Sequence, residues 1–251
     1  METPDDPRLR PAATATALRE PRAMPAQQAF AWFAEAMRLW KRGPASFAGM
    51  AFIILVVSIV FEPIRWVGLL AATLVAPLLA TGLLFACLAA DRGDRPRLRH
   101  LLAILAAPRR AQLAVVAAGF VVFGAEAVTA WTLAEVNLLM PLADTSQLTA
   151  GVIVAIYSAG VAASLPVTFV PFAVLFDGES VGRAFAASWR AFTLNLPALG
   201  LLALYSLVLL MLGLATMGAG LVLALPWISA ATFSAWKDIF ALTDATSPPG
   251  G

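Results

Sequence analysis

Six unbroken apolar runs, each long enough to cross a bilayer, constrain this chain more than any other feature. A hydrocarbon core about 30 Å thick takes about 20 helical residues, and the runs fall at residues 45–61, 66–90, 112–134, 151–176, 194–217 and 218–236. They are dense in Leu, Ala and Val and lack the strict apolar/polar alternation of a membrane barrel, so the expected element is the helix. Charge is correspondingly scarce. Only 13% of the 251 residues are charged and 61% are apolar, whereas soluble domains carry roughly 25% charged residues. Too little charge remains to coat a globule in water. The fold class expected is therefore all-α, a polytopic helical bundle in the membrane.

Residues 1–26 interleave prolines with charges and contain no apolar run of signal-peptide length, and residues 244–251 end in Ser-Pro-Pro-Gly-Gly. Both read as disordered tails around a six-helix membrane domain at 27–243. All Lys and Arg residues except Arg65 precede the first run, separate the second from the third, or follow the fourth or the sixth. Cytoplasmic loops hold that excess, so both termini are expected in the cytoplasm. Glu62, Glu135 and Asp144 mark the links on the opposite side.

Three segments on the basic side repeat one pattern. Residues 28–42 place Phe30, Phe33, Met37 and Trp40 on one helical face; residues 97–107 do so with Leu98, Leu101, Leu102 and Leu105; residues 180–192 do so with Val181, Phe185, Trp189 and Phe192. Each has the character of an amphipathic helix lying along a headgroup layer, with Trp32, Trp40 and Trp189 as interfacial anchors. A proline follows each one, Pro44, Pro108 and Pro197, near the entry to the next run. The chain thus reads as three hairpins, each preceded by an interfacial helix. Pro77, Pro166 with Pro171, and Pro226 interrupt the returning spans, which close on Asp91, Asp177 and Asp238. The Asp-Arg-Gly and Asp-Gly ends read first as helix stops.

Phe30-x-Trp32…Trp40-Lys41-Arg42-x-Pro44, Ala76-Pro77…Ala90-Asp91-Arg92-Gly93, Leu175-Phe176-Asp177-Gly178…Trp189-Arg190 and Ser234-Ala235-Trp236-Lys237-Asp238-Ile239-Phe240 occur in this order. In that order and spacing the chain resembles a group of uncharacterised proteobacterial six-span membrane proteins. The group is similar in turn to the membrane domain of some glycerophosphoryl diester phosphodiesterases. The resemblance covers about residues 28–240 and implies a bacterial inner-membrane location and an all-helical fold. It implies no activity, because the phosphodiesterase domain itself has no counterpart here.

The residues offer little for catalysis. One cysteine, Cys87, and one histidine, His100, exclude an internal disulfide and the zinc sites that need several such ligands. Asp177-Gly178-x-x-x-x-Arg183 places its arginine one residue late for the array of the phosphoalcohol-transferring membrane enzymes, and only Asp238 follows as an acid over residues 184–243. Neither an enzyme nor a cofactor is expected. A net charge of +2 is too small to imply nucleic acid as a partner.

Two groups of residues remain as candidate sites. Glu126 is the one acid well inside a run, about 12 Å from its outer end, where an ionised carboxylate costs at least about 2.5 kcal/mol; Thr129 shares its face and Tyr157 lies at similar depth on the next run. A structural hydrogen bond and a proton or substrate contact are both open there. The other group is the set of headgroup or partner contacts Arg38, Trp40, Arg42, Arg97, Arg99, Arg183, Trp189 and Arg190, where each cation near anionic lipid contributes about 1 kcal/mol. The expected function is a non-enzymatic accessory or scaffolding protein in lipid or envelope organisation, its partners being anionic headgroups on the cytoplasmic side or another protein. The alternative is a small transporter with a path near Glu126 and Tyr157.

Overall fold

The computed structural model describes residues 20–61, 71–140 and 146–240, and every regular element among them is helical. In order these are α1 (Gln28–Trp40), α2 (Pro44–Phe61), a π-helical turn (Ala71–Val75) running into α3 (Ala76–Asp91), a 3-10 helix (Leu98–Ala106), α4 (Arg109–Ala134), α5 (Ala150–Ser164), a short 3-10 turn (Leu165–Val167), α6 (Val170–Leu175), α7 (Val181–Leu194), α8 (Leu196–Ala215) and α9 (Leu221–Ile239). The tail up to residue 19, the links at 62–70 with Arg65 and 141–145 with Asp144, and the residues from 241 lie outside the described residues.

Prolines and glycines set the boundaries. Pro44 opens α2, Pro108 immediately precedes α4 and Pro197 sits in the first turn of α8, positions where a missing N–H has no helical acceptor to satisfy. α3 stops at Gly93, whose φ of 90° suits the left-handed region open to glycine; its N–H donates to Ala90 O at 3.1 Å and that of Asp94 to Ala89 O at 2.9 Å. Gly178, φ 69°, plays the same part after α6. The Asp-Gly ends are helix stops, as expected.

Four stretches are long and apolar enough to cross a membrane: residues 73–91, 109–134, 150–167 and 196–215. A fifth is counted if α1 and α2, bent by 102° at their junction, are taken as one broken span. That bend sets α1 nearly perpendicular to α2. The sixth apolar run forms α9, whose last turns carry Lys237 and Asp238 and which is enclosed by α1, α2, α3 and α8. The fourth run is not one helix: α5 ends at Ser164, and the chain passes through the turn containing Pro166 before α6, where Pro171 lies in the first turn.

The interfacial segments depart from the expected geometry in two ways. On α1 the buried face is Ala29, Trp32, Ala36 and Leu39, and on α7 it is Ala184, Ala187, Ser188 and Ala191. The small residues dock against protein, Phe30 (54% exposed) and Trp189 (56%) point outward, and Phe33, Trp40, Phe185 and Phe192 are half-buried at the flanks of the packed face. Small faces permit close backbone approach, whereas aromatics are well solvated by lipid, so the packing selects the small face. Trp32 is the exception and is no interfacial anchor, being 1% exposed. The segment expected as a helix at 97–107 is instead a 3-10 helix, seated so closely on α3 that a methyl on Gly82 would lie 2.9 Å from Leu101 O. Gln112 Nε2 holds its far end, donating to Ile104 O and Ala107 O, both at 3.1 Å.

Towards one end of the bundle α3, α6 with its flanking residues, and the C-terminal part of α9 meet through aromatic rings. Phe172 stacks on Trp236 with centroids 5.2 Å apart, Phe85 meets Phe176 edge-on at 5.2 Å, and Phe169 meets Phe240 at 5.7 Å.

Gly82→Ala should lower the midpoint of thermal unfolding in detergent by the equivalent of about 1–3 kcal/mol. Gly124→Ala, whose methyl meets open space within α4, should not lower it and should raise it slightly, by the equivalent of about 0.4–1 kcal/mol.

Candidate functional site

An acid at a helix C-terminus faces the negative end of the helix dipole and needs donors nearby. Asp91 closes α3 and Asp238 lies in the last turn of α9; Asp238 finds its side-chain donors on α1, and Asp91 is met from both α1 and α9. Stepping along that helix, Gln28, Trp32, Glu35 and Arg38 make a polar stripe beside its small-residue face. Gln28 Nε2 and Trp32 Nε1 donate to Asp238 Oδ2 at 2.7 and 2.8 Å. Arg38 grips Glu35 through Nε, at 2.7 Å, and through a second guanidinium nitrogen, and lies 3.5 Å from Asp91 Oδ1. The Lys237 ammonium reaches the same Asp91 oxygen at 2.7 Å. Further up α9, Trp227 Nε1 donates to Phe33 O at 3.3 Å. These contacts enclose a cleft of about 270 Å³ lined by Ala31, Trp32, Glu35, Ser234, Lys237 and Asp238.

The segment leading into α1 is tied to the same end. Arg22 donates its N–H to Ile239 O at 2.9 Å and its Nε to Asp238 O at 2.7 Å, satisfying carbonyls that the end of α9 leaves open. Asn195, fully buried between α7 and α8, accepts from Met24 N at 2.7 Å and donates through Nδ2 to Arg22 O and Ala191 O, both at 3.0 Å.

Of the expected headgroup contacts, three are ion-paired within the chain. Arg38 pairs as above, Arg183 Nε lies 2.8 Å from Glu179 Oε2, and Arg190 lies 3.2 Å from Glu20 Oε1. Arg42, Arg97 and Arg99 are exposed, Trp189 is exposed and Trp40 half-buried. Between Arg97 and Arg99 the chain enters the 3-10 helix, where His100 Nδ1 accepts the Arg97 N–H at 3.2 Å. Burial, and then the charges of Arg99 and Arg97, push the His100 imidazole below its ordinary value, so the neutral ring that can accept this bond is the favoured form.

In the interior, Glu126 lies against the backbone of α5. A methyl on Gly160 would stand 2.8 Å from both Cγ and Cδ of Glu126. Thr129 donates its hydroxyl to Ala125 O at 2.8 Å, and Tyr157 lies one turn before Gly160 on α5. Among the described residues no three His, Cys, Asp or Glu side chains gather to hold a metal ion.

Sequence reasoning missed the fastening role of Asp91 and Asp238 and the buried Asn195. The available signal was the spacing of Gln28, Trp32, Glu35 and Arg38, four polar-capable side chains on one stripe of an otherwise apolar helix. Compared with known proteins, the chain matches no family model, no curated protein and no solved structure.

Two outcomes test these contacts. Gly160→Ala should destabilise the protein in detergent, and the same change made in a Glu126→Ala background should cost much less, since the carboxylate that blocks the methyl is gone. Asn195→Ala leaves a buried N–H and C=O without their partner, a loss of about 1–3 kcal/mol, and should accelerate tryptic cleavage after Arg22.

Proposed function

We propose that this chain is a six-span protein of the bacterial inner membrane, built as three hairpins with both termini in the cytoplasm. Its role in this reading is non-enzymatic: an accessory or scaffolding protein in lipid or envelope organisation, akin to the proteobacterial six-span group that its sequence resembles. The observation that carries the reading is the assembly of α1, the 3-10 helix and α7 at one end of the bundle, where basic side chains and outward aromatics or leucines lie together. Gly43 packs against Pro96, with a distance of 3.1 Å from a Cβ added there, Arg38 lies against Asp91, and Asn195 at the end of α7 holds Arg22, which is bonded to Ile239 at the end of α9, so the three elements are linked to neighbouring helix ends. Such a surface suits a headgroup layer on the side where Lys and Arg collect.

An even number of crossings is supported by the pairing of Arg22 with Ile239, which sets the two ends of the described chain side by side. Six, in this reading, adds α2 and α9 to the four clearest spans as a pair, which keeps the count even. The transport reading draws less support, because the side chain of Glu126 fills the space over Gly160 instead of opening toward a cavity.

Single cysteines test the topology in a Cys87→Ala background. Met217, 99% exposed in the turn between α8 and α9, should react as Met217→Cys with an impermeant reagent in intact spheroplasts. Glu20→Cys should react only after permeabilisation; labelling of both from the same side refutes the arrangement.

A further inference from the structure

The cations at this end of the bundle fall into two populations. Arg38, Arg183, Arg190 and Lys237 are each held by a carboxylate of the chain. Residues 92–110 contain Arg92, Arg95, Arg97, Arg99, Arg109 and Arg110, all exposed, and among the described residues none of these six forms an ion pair. The only acid in that stretch is the exposed Asp94. Six cations against one acid leave a strong net positive field that calls for an anion from outside.

Geometry specifies the kind of anion. With three residues per turn, a 3-10 helix aligns side chains at i and i+3. One row runs from the exposed Leu98 to the buried Leu101 and Ile104, while the adjacent row, Arg99, Leu102 and Leu105, faces outward throughout, the leucines 56% and 63% exposed. A guanidinium thus heads a strip of leucine on an element anchored by Gly82 and Gln112. A soluble polyanion has no use for the leucines, whereas a lipid offers acyl chain to them and phosphate to the arginine, which can bind phosphate with two parallel hydrogen bonds.

We infer that the 3-10 helix at Leu98–Ala106, with Arg95, Arg97 and Arg99, docks the phosphate headgroup of an anionic phospholipid, and that α7, whose Arg183 and Arg190 are ion-paired within the chain, does not share this role. The inference rests on the membrane-embedded reading above and centres its headgroup surface on one element. His100, the one histidine of the chain, stands among these arginines as an internal reporter. A phosphate drawn to Arg97 and Arg99 offsets the charges that help to depress the imidazole, so its titration should move upward when the site fills.

The test uses delipidated full-length protein in detergent, titrated with phosphatidylglycerol or phosphatidylcholine and read by native mass spectrometry. Wild type should bind phosphatidylglycerol in preference. At about fivefold per arginine, Arg95→Gln, Arg97→Gln and Arg99→Gln together should weaken that binding roughly a hundredfold, and Arg183→Gln with Arg190→Gln should leave it unchanged. Independently of any variant, the His100 ring resonances of wild type should titrate at higher pH with phosphatidylglycerol than with phosphatidylcholine. If the α7 pair abolishes binding and the 3-10 triple does not, this assignment falls while the headgroup surface stands. No preference for phosphatidylglycerol in wild type overturns both. Displacement of the lipid by an equal concentration of glycerol 3-phosphate overturns the assignment in favour of a soluble anion.

Discussion

Hydrocarbon is as good a solvent for leucine as protein is, so helices in a membrane gain little from burying apolar side chains against one another. What holds them is close approach, and this structure depends on the residues that allow it. Gly82 admits the backbone of the 3-10 helix, Gly119 admits Pro77, whose ring would stand only 3.1 Å from an added Cβ, and Gly160 admits the side chain of Glu126. The most extensive pairing, α1 with α9, buries Ala29 and Ala36 on one helix and Ala230, Ala231 and Ala235 on the other. Larger residues at these positions would forfeit many dispersion contacts at once. The same logic explains the outward aromatics of α1 and α7, which lose nothing by facing acyl chains.

Close approach alone does not fix which helices meet, and polar groups supply that at one end. Inside the spans most hydroxyls turn back on their own helix: Ser58 to Ile54, Thr129 to Ala125, Ser158 to Val154, Ser206 to Leu202 and Thr232 to Ile228. Bonds of this kind satisfy the donor and carry no information about neighbours. The bonds that do cross between elements concentrate at the ends of α3 and α9, where Asp91 and Asp238 take up Lys237, Arg38, Gln28 and Trp32. Half-exposed ion pairs contribute at most about 1 kcal/mol each, so their effect lies in registering α1 across two helix ends more than in raw stability.

The helical class, the positions of the apolar runs and the glycine stops were legible because each follows from local chemistry: run length, missing N–H groups, φ above zero. The faces of α1 and α7 were not. A helical wheel ranks Phe30, Phe33 and Trp189 as the apolar face, but it cannot say that Phe33 will instead pack against Tyr205 and that alanine will be needed against α9. The 3-10 geometry at Leu98–Ala106 was hidden for a related reason. Its leucines fit an α-helical spacing equally well, and what tightens the turn lies elsewhere in the sequence, at Gly82 and Gln112. Glu126 was visible as an anomaly by depth alone, yet its neighbour Gly160 carries no side chain to advertise the contact. Tertiary partners decide these cases, and a linear reading sees partners only when they are close along the chain.

The distribution of charge follows from the same division between packing and solvent. A cation that must help position α1 or the segment before it needs a fixed partner, and Arg38, Arg190 and Lys237 have one. A cation freed from that duty can answer to the bilayer. The 3-10 helix can carry such cations because it is held by other means, by backbone contact with α3 and by the amide of Gln112, so losing its arginines would leave its seat intact. A helix whose arginines were already neutralised by its own acids would present little net field to a headgroup, however basic its sequence.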